Sequence, residues 1–214
     1  MAEAAPHGPG EVIYRGAEAT LTTASRFGRL VVLKQRHPKA YRIAELETAI
    51  ARGRMRNEAR LLRRAREAGV SAPAVLDADP EAQTLVLEYL GRRALRESFD
   101  TMPGPLRRRA ARAVGEAVGR LHKAGIIHGD LTTSNIILKG GTVHVLDFSL
   151  GQVGDRLEER AVDLKAFKDS FAATHLPHAA DFGLVLEGYR AVLGAEGARV
   201  AAHIGKIERR RRYA

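Results

Sequence analysis

The chain has 214 residues, 45% hydrophobic and 28% charged, a balance that supports a folded core and excludes the low-hydropathy class of disordered segments. No apolar run is long enough to span a membrane, Met1–His7 lack the basic and apolar regions of a secretory signal, and there is no cysteine, which excludes disulfide frames and thiolate metal sites and leads us to expect a cytoplasmic protein. The net charge of +10 comes from 28 arginines and only seven lysines; arginine forks match phosphate, so a polyanionic partner such as RNA is expected, although arginine-rich surfaces also accompany genome composition or adaptation to heat.

Val12–Tyr14, Thr20–Thr23 and Leu30–Leu33 read as three short strands, separated by Arg15–Ala19 and by a turn ending at Gly28. From about Ile43 to Arg66 the chain is rich in Ala, Glu, Arg and Leu without proline, which predicts a helix closed by Gly69. Val75–Leu76 and Thr84–Leu87 complete a predicted five-stranded sheet with one long helix. Gly91-Arg92-Arg93 is the expected hinge, dividing a β-rich lobe, 1–90, from a mostly helical lobe, 91–214. In the second, apolar residues from Leu106 to Leu121 recur at helical spacing between Pro105 and Gly125. Ile136–Leu138 and Val143–Leu146 flank Gly140-Gly141 as a hairpin, and the chain from about Leu157 reads as helical.

The chemistry is concentrated in His128-Gly129-Asp130-Leu131-Thr132-Thr133-Ser134-Asn135 and in Asp147-Phe148-Ser149. His128, Asp130, Leu131 and Asn135 match the kinase catalytic-loop pattern H-x-D-L-x-x-x-N in register, and Asp147 follows where that pattern has its second aspartate. Phosphoryl transfer requires positioning and charge neutralisation above all. Lys34, ending the third strand, would grip the α- and β-phosphates of ATP, and Glu58 on the long helix would orient it. Asp130 would accept a proton from the acceptor or position a water, while Asn135 and Asp147 would hold Mg²⁺ through hard oxygens. The backbone at Glu88 and Leu90 would read adenine. His128 is expected to brace the loop, and Asp163 to anchor its backbone from a core helix. His175 and His178, three residues apart, lack the carboxylates of a metal site. Each residue taken singly has a plainer reading, as a solvated lysine, a surface ion pair or a turn former; agreement in order, spacing and element favours the site.

Several positions depart from the kinase pattern. The phosphate-covering loop is Gly16-Ala17-Glu18-Ala19, with a single glycine, and Glu18 would repel phosphate unless a cation intervenes. Gly129 and Thr132 replace the usual arginine and lysine. Ser149 stands in place of glycine, which predicts a stiffer loop. Sixty-seven residues follow Asp147, little room for a peptide-docking platform.

With these departures the chain resembles the small atypical kinase/ATPase subunit of the KEOPS complex, which serves threonylcarbamoyladenosine formation in tRNA. The resemblance runs through Gly16–Ala19, Leu33–Arg42, Arg54–Ala59, His128–Asn135, Ala161–Leu164, Ser170–His175 and the basic end Arg209–Ala214. It implies a minimal two-lobed kinase-like α+β fold, ATP and Mg²⁺ as cofactors, and ATP hydrolysis beside the threonylcarbamoyl-transferase subunit. That subunit would dock on the second lobe and a small accessory subunit on the first. The basic end would be a tail reaching toward tRNA, or else a solvated terminus. Two other readings stay open: a stand-alone small kinase of ribosome-biogenesis or small-molecule type, and a non-catalytic nucleotide- or tRNA-binding scaffold.

Overall fold

The computed structural model describes residue 8 and residues 10–37 and 44–212, with backbone alone at 44–48 and 210–212. Within the resembling stretches, residues 38–42 and 213–214 lie outside the described residues, as does Ile43 at the start of the predicted helix. The chain divides into two compact units: one holds the residues up to Arg63 together with Pro73–Arg92, the other Arg64–Ala72 and the chain from Arg93 onward.

Among the described residues of the first unit, β1 (Val12–Arg15), β2 (Ala19–Arg26), β3 (Arg29–Arg36), β4 (Val75–Asp79) and β5 (Thr84–Glu88) form one antiparallel sheet in the order β1-β2-β3-β5-β4. All five predicted strands are present, each longer than expected. The β2–β3 hairpin turns at Phe27-Gly28, both with positive φ, as a two-residue connection between right-twisted strands requires. The helix α1 (Ala44–Glu67) buries Ala51, Met55, Glu58, Leu61, Leu62 and Ala65 at helical spacing. Its last residues travel with the second unit, where Arg64 donates to the carbonyl of Ala124 at 2.9 Å and Ser71 accepts from the amide of Val145 at 2.8 Å.

The second unit comprises α2 (Leu95–Ser98), α3 (Gly104–Lys123), β6 (Ile126–Ile127), the hairpin β7 (Ile136–Lys139) and β8 (Thr142–Val145), β9 (Gln152–Val153), α4 (Leu157–Thr174), α5 (Phe182–Leu193) and α6 (Ala195–Arg212). The β7–β8 hairpin and helix α3 match their predictions. Strand β9, which pairs with β6, was not foreseen: two residues carry no periodicity. At the basic end, the backbone of Arg209–Arg212 continues helix α6. Helix α6 is held to α4 by Arg160–Glu196 at 2.5 Å and Lys168–Glu208 at 2.7 Å.

Helices α3 and α5 meet backbone to backbone. A Cβ at Gly115 would stand 1.9 Å from the carbonyl oxygen of Val185, and one at Gly188 would stand 2.1 Å from that of Arg112. Overpacking such a contact costs about 1–3 kcal/mol. Gly188→Ala should therefore lower the urea unfolding free energy by that amount, whereas Gly183→Ala on the same helix, with nothing within 4 Å of its Cβ, should be neutral or slightly stabilising.

Candidate active site

In the first unit, Glu58 is fully buried and accepts two cations: Lys34 Nζ reaches Oε1 at 2.6 Å and an Arg36 guanidinium nitrogen reaches Oε2 at 2.7 Å. Lys34 and Arg36 lie two residues apart on β3, hence on one face of the sheet. Both are more than nine-tenths buried. The Lys34–Glu58 pairing matches the sequence reading, and burial rules out the plainer reading of Glu58 as a solvated surface pair. The role of Arg36 was missed; the signal was the alternation Lys-x-Arg on a strand facing a helical glutamate. A buried pair repays its desolvation only when geometry is tight, so this cluster defines the direction of the lysine more than it adds stability.

Gly16, Ala17 and Glu18 form the turn between β1 and β2, closed by the amide of Gly16 donating to Ala19 at 3.0 Å. The Tyr14 ring lies where a Cβ on Gly16 would have to go. A basic side chain does stand beside Glu18: the Arg54 guanidinium of α1 approaches its Oε1 at 3.4 Å. Glu88 is turned toward β4: its amide donates to the carbonyl of Ala74 at 2.9 Å, and its carboxylate accepts from the Ala74 amide at 3.1 Å. Leu90 is buried just beyond the strand.

In the second unit, the His128–Asn135 loop connects β6 to β7. Asn135 donates from Nδ2 to the backbone carbonyl of Asp130 at 2.8 Å and to its Oδ2 at 3.1 Å, bringing these two side chains together. Asp147 is placed at the same end of the hairpin, because Ile136 pairs with Val145 and the amide of Leu146 donates to the carbonyl of Asn135 at 2.8 Å. One carboxylate and one carboxamide there form an oxygen-only donor set, which suits Mg²⁺. His128 is buried against Phe148, with ring centroids 4.8 Å apart; its Nε2 bonds the carbonyl of Leu146 at 2.8 Å, and its Nδ1 lies 3.3 Å from the amide of Asp130. The ring braces the loop, as expected.

Gly129 has a physical reason beyond the motif. Its φ is +79°, and a Cβ would stand 2.4 Å from the carbonyl oxygen of Leu150, so an arginine could not occupy this backbone. The left-handed backbone angle in this turn falls on Asp147, at φ +54°, and Ser149 needs none. Ser149 donates its amide at 3.0 Å and its hydroxyl to Oδ1 of Asp147, so its side chain fastens that carboxylate without backbone strain.

Asp163 on α4 secures the start of the loop. Its Oδ1 accepts the amide of Gly129 at 2.9 Å; its Oδ2 accepts the amide of His128 at 3.0 Å and lies 3.1 Å from Nε2 of His122. Tyr189 on α5 lies 2.8 Å from the other nitrogen of His122. An ionised carboxylate only accepts, so His122 Nε2 carries a proton; in the neutral ring Nδ1 then accepts from the Tyr189 hydroxyl. Burial alone would raise the pKa of Asp163, but the His122 hydrogen bond, the nearby imidazoles and the His128 amide outweigh it, and the group lies below its ordinary 3.8. Burial raises that of Tyr189, with Arg160 opposing.

A depressed carboxylate pKa means that the folded state binds this proton less readily than the unfolded chain. The stability contribution of Asp163 is thus complete above about pH 4 and lost as pH falls through the lowered value. Urea unfolding followed from pH 6 to pH 2.5 should show this loss in the wild type, whereas Asp163→Asn should be less stable at neutral pH and lack that component of the acid dependence.

The family model described as RIO domain matches residues 21–164. The chain is 39% identical over 212 residues to the KEOPS complex subunit Bud32 of Pyrococcus abyssi, covering 95% of this chain and 96% of that one. It is also 39% identical over 206 residues to a probable bifunctional tRNA threonylcarbamoyladenosine biosynthesis protein of Methanothermobacter thermautotrophicus, covering 96% of this chain but spanning only 37% of the relative's length. Among solved structures, WaaP in complex with acyl carrier protein matches with a TM-score of 0.57 at 23% identity, over 94% of this chain and 88% of that one, a likeness of kinase-like fold alone. The sheet-plus-helix unit, the braced loop and these matches together identify the chain as a member of the RIO domain family, in the company of the Bud32 subunits.

Proposed function

We propose that the chain is an Mg-ATP-dependent atypical Ser/Thr kinase/ATPase subunit of a KEOPS-type complex, supporting threonylcarbamoylation of adenosine in tRNA. The observation that carries the chemistry is Asn135 bonded to Asp130, with Asp147 held at the same hairpin end. The near full-length match to Bud32 supports the biological setting.

Magnesium, when bound, would neutralise the charge on the phosphates as it shifts in the transition state. Asn135 and Asp147 would hold it, and the Ser149 hydroxyl fixes which way the Asp147 carboxylate faces. Lys34, directed by Glu58 and Arg36, would contact the phosphates, with Gly16, Ala17 and Glu18 covering them. The backbone at Glu88 and Leu90, just where β5 ends, would read adenine. Asp130 would orient a water or an acceptor hydroxyl and take its proton, and Asn135 keeps that carboxylate in place.

The partners follow from the same reading: the threonylcarbamoyl-transferase subunit on the second unit, a small accessory subunit on the first, and tRNA. In the bifunctional relative a region matching this chain makes up 37% of one polypeptide, which supports a neighbour acting beside it. The excess of arginine, including the end of α6, supports contact with a polyanion. The lack of cysteine supports a cytoplasmic location, and no helix among the described residues is long and apolar enough to cross a membrane.

Release of the labelled γ-phosphate of ATP tests this reading. Wild type should release free phosphate, faster with the transferase and tRNA present, and Asp130→Asn should reduce the rate by about 100-fold or more. Label accumulating on an added protein or small molecule would favour a stand-alone kinase. Turnover independent of Asp130 in every mixture would overturn the proposal.

A further inference from the structure

The His128–Asn135 loop has a second anchor, built from residues that the proposed chemistry does not use. Thr133 lies in the short 3₁₀ turn Thr133–Asn135 and is 1% exposed. Its Oγ1 is 2.9 Å from Nε2 of His175, and the other ring nitrogen, Nδ1, is 2.9 Å from Oδ1 of Asp100. His175 is completely buried at the C-terminal end of α4, where its amide donates to the carbonyl of Phe171 at 2.8 Å. The aromatic rings of Phe99 and Phe171 flank the imidazole, at centroid distances of 4.9 and 5.0 Å.

The protonation pattern follows from the partners. The Asp100 carboxylate accepts only, so Nδ1 carries the proton; in the neutral ring Nε2 accepts the hydroxyl hydrogen of Thr133. The order carboxylate, imidazole, hydroxyl is that of a hydrolase triad. Here, however, the hydroxyl is sealed from solvent and no electrophile can approach it, so it is not a nucleophile. Its hydrogen bond is a fastening. The phenylalanine rings beside the imidazole offer no hydrogen bond, and loss of either polar partner would leave a buried ring nitrogen unsatisfied.

We infer that Asp100 and His175 are positioning residues which, through Thr133, set the placement of Asp130 and Asn135. Helix α4 and its cap then hold the loop at two points: Asp163 grips the amides of His128 and Gly129, and His175 grips Thr133. Twelve residues separate these anchors, about 18 Å along a helix axis. A single rigid helix therefore defines the span of the loop that carries both polar groups. The Asp100 side chain is 38% exposed, so this chain of bonds begins at the surface of the unit.

The consequence for turnover rests on the ATP-using reading above; the consequence for loop order does not. The test compares wild type with Thr133→Val, which keeps the shape and removes the hydroxyl, and Thr133→Ser, which keeps the hydroxyl. Asp100→Asn, at a partly exposed position, serves should the valine variant fail to fold. Amide hydrogen exchange of residues 128–136 is measured alongside kcat and KM for ATP. Thr133→Val should speed loop exchange about tenfold and lower kcat about tenfold, with KM for ATP changed less than about twofold. Thr133→Ser should restore both, and Asp100→Asn should shift both in the same direction by about threefold. Unchanged loop exchange in Thr133→Val, faster exchange with unchanged kcat, or a serine variant as impaired as the valine variant would each overturn the inference. A wild type without ATP turnover would count against the proposed function alone, and the exchange measurement would still decide whether the anchor exists.

Discussion

The second unit depends on one buried carboxylate. Asp163 accepts two consecutive backbone amides, from His128 and Gly129, and the imidazole of His122, which is in turn held by Tyr189. Four elements thereby meet at one charge: α3 through His122, α4 through Asp163, α5 through Tyr189, and the loop after β6. A carboxylate with three donors stays ionised despite its burial, and it must be matched by all three, because an unsatisfied charge at that depth would cost several kcal/mol. The loop backbone is therefore fixed by the core, not by its own sequence. Gly129 follows from that arrangement: the turn that offers both amides to Asp163 runs so close to the carbonyl of Leu150 that no Cβ fits.

The first unit solves a different problem with the same means. A lysine enclosed by protein needs a partner that fixes its direction. Glu58 fixes that direction for Lys34, and Arg36 engages the second oxygen of the same carboxylate. Burial of all three groups gives little net stability, since desolvation offsets most of the attraction. What it provides is a fixed direction for the lysine, which under the proposed function would be preorganisation for phosphoryl transfer. Ser149 does the same on a smaller scale for Asp147.

Local features were legible in the sequence, and long-range ones were not. The five strands, α1, α3 and the Gly140-Gly141 hairpin follow from periodicity and turn chemistry, which act over a few residues. Lys34, Glu58, Asp130, Asn135 and Asp147 stood out because their spacing along the chain is itself a pattern. Arg36 did not, since its meaning arises only when β3 faces α1. Likewise nothing near His175 in the sequence points to Thr133, 42 positions away, or to Asp100, 75 positions away. That α6 extends through the arginine run was not legible either, since its pairs to Arg160 and Lys168 of α4 span 36 and 40 positions. Nor were the hydrogen bonds from Ser149 to Asp147, since a serine in place of glycine does not by itself announce a partner.

Each unit holds charged groups in place, Lys34 by buried Glu58 in the first and Asp130 and Asp147 by Asn135 and Ser149 in the second. The most direct test of this account is calorimetric titration of ATP into wild type and Asp147→Ala, each with and without Mg²⁺. The account predicts that Mg²⁺ strengthens ATP binding to the wild type at least about tenfold and has little effect on the variant. Equal enhancement by Mg²⁺ in both proteins would remove Asp147 from the metal site and contradict it.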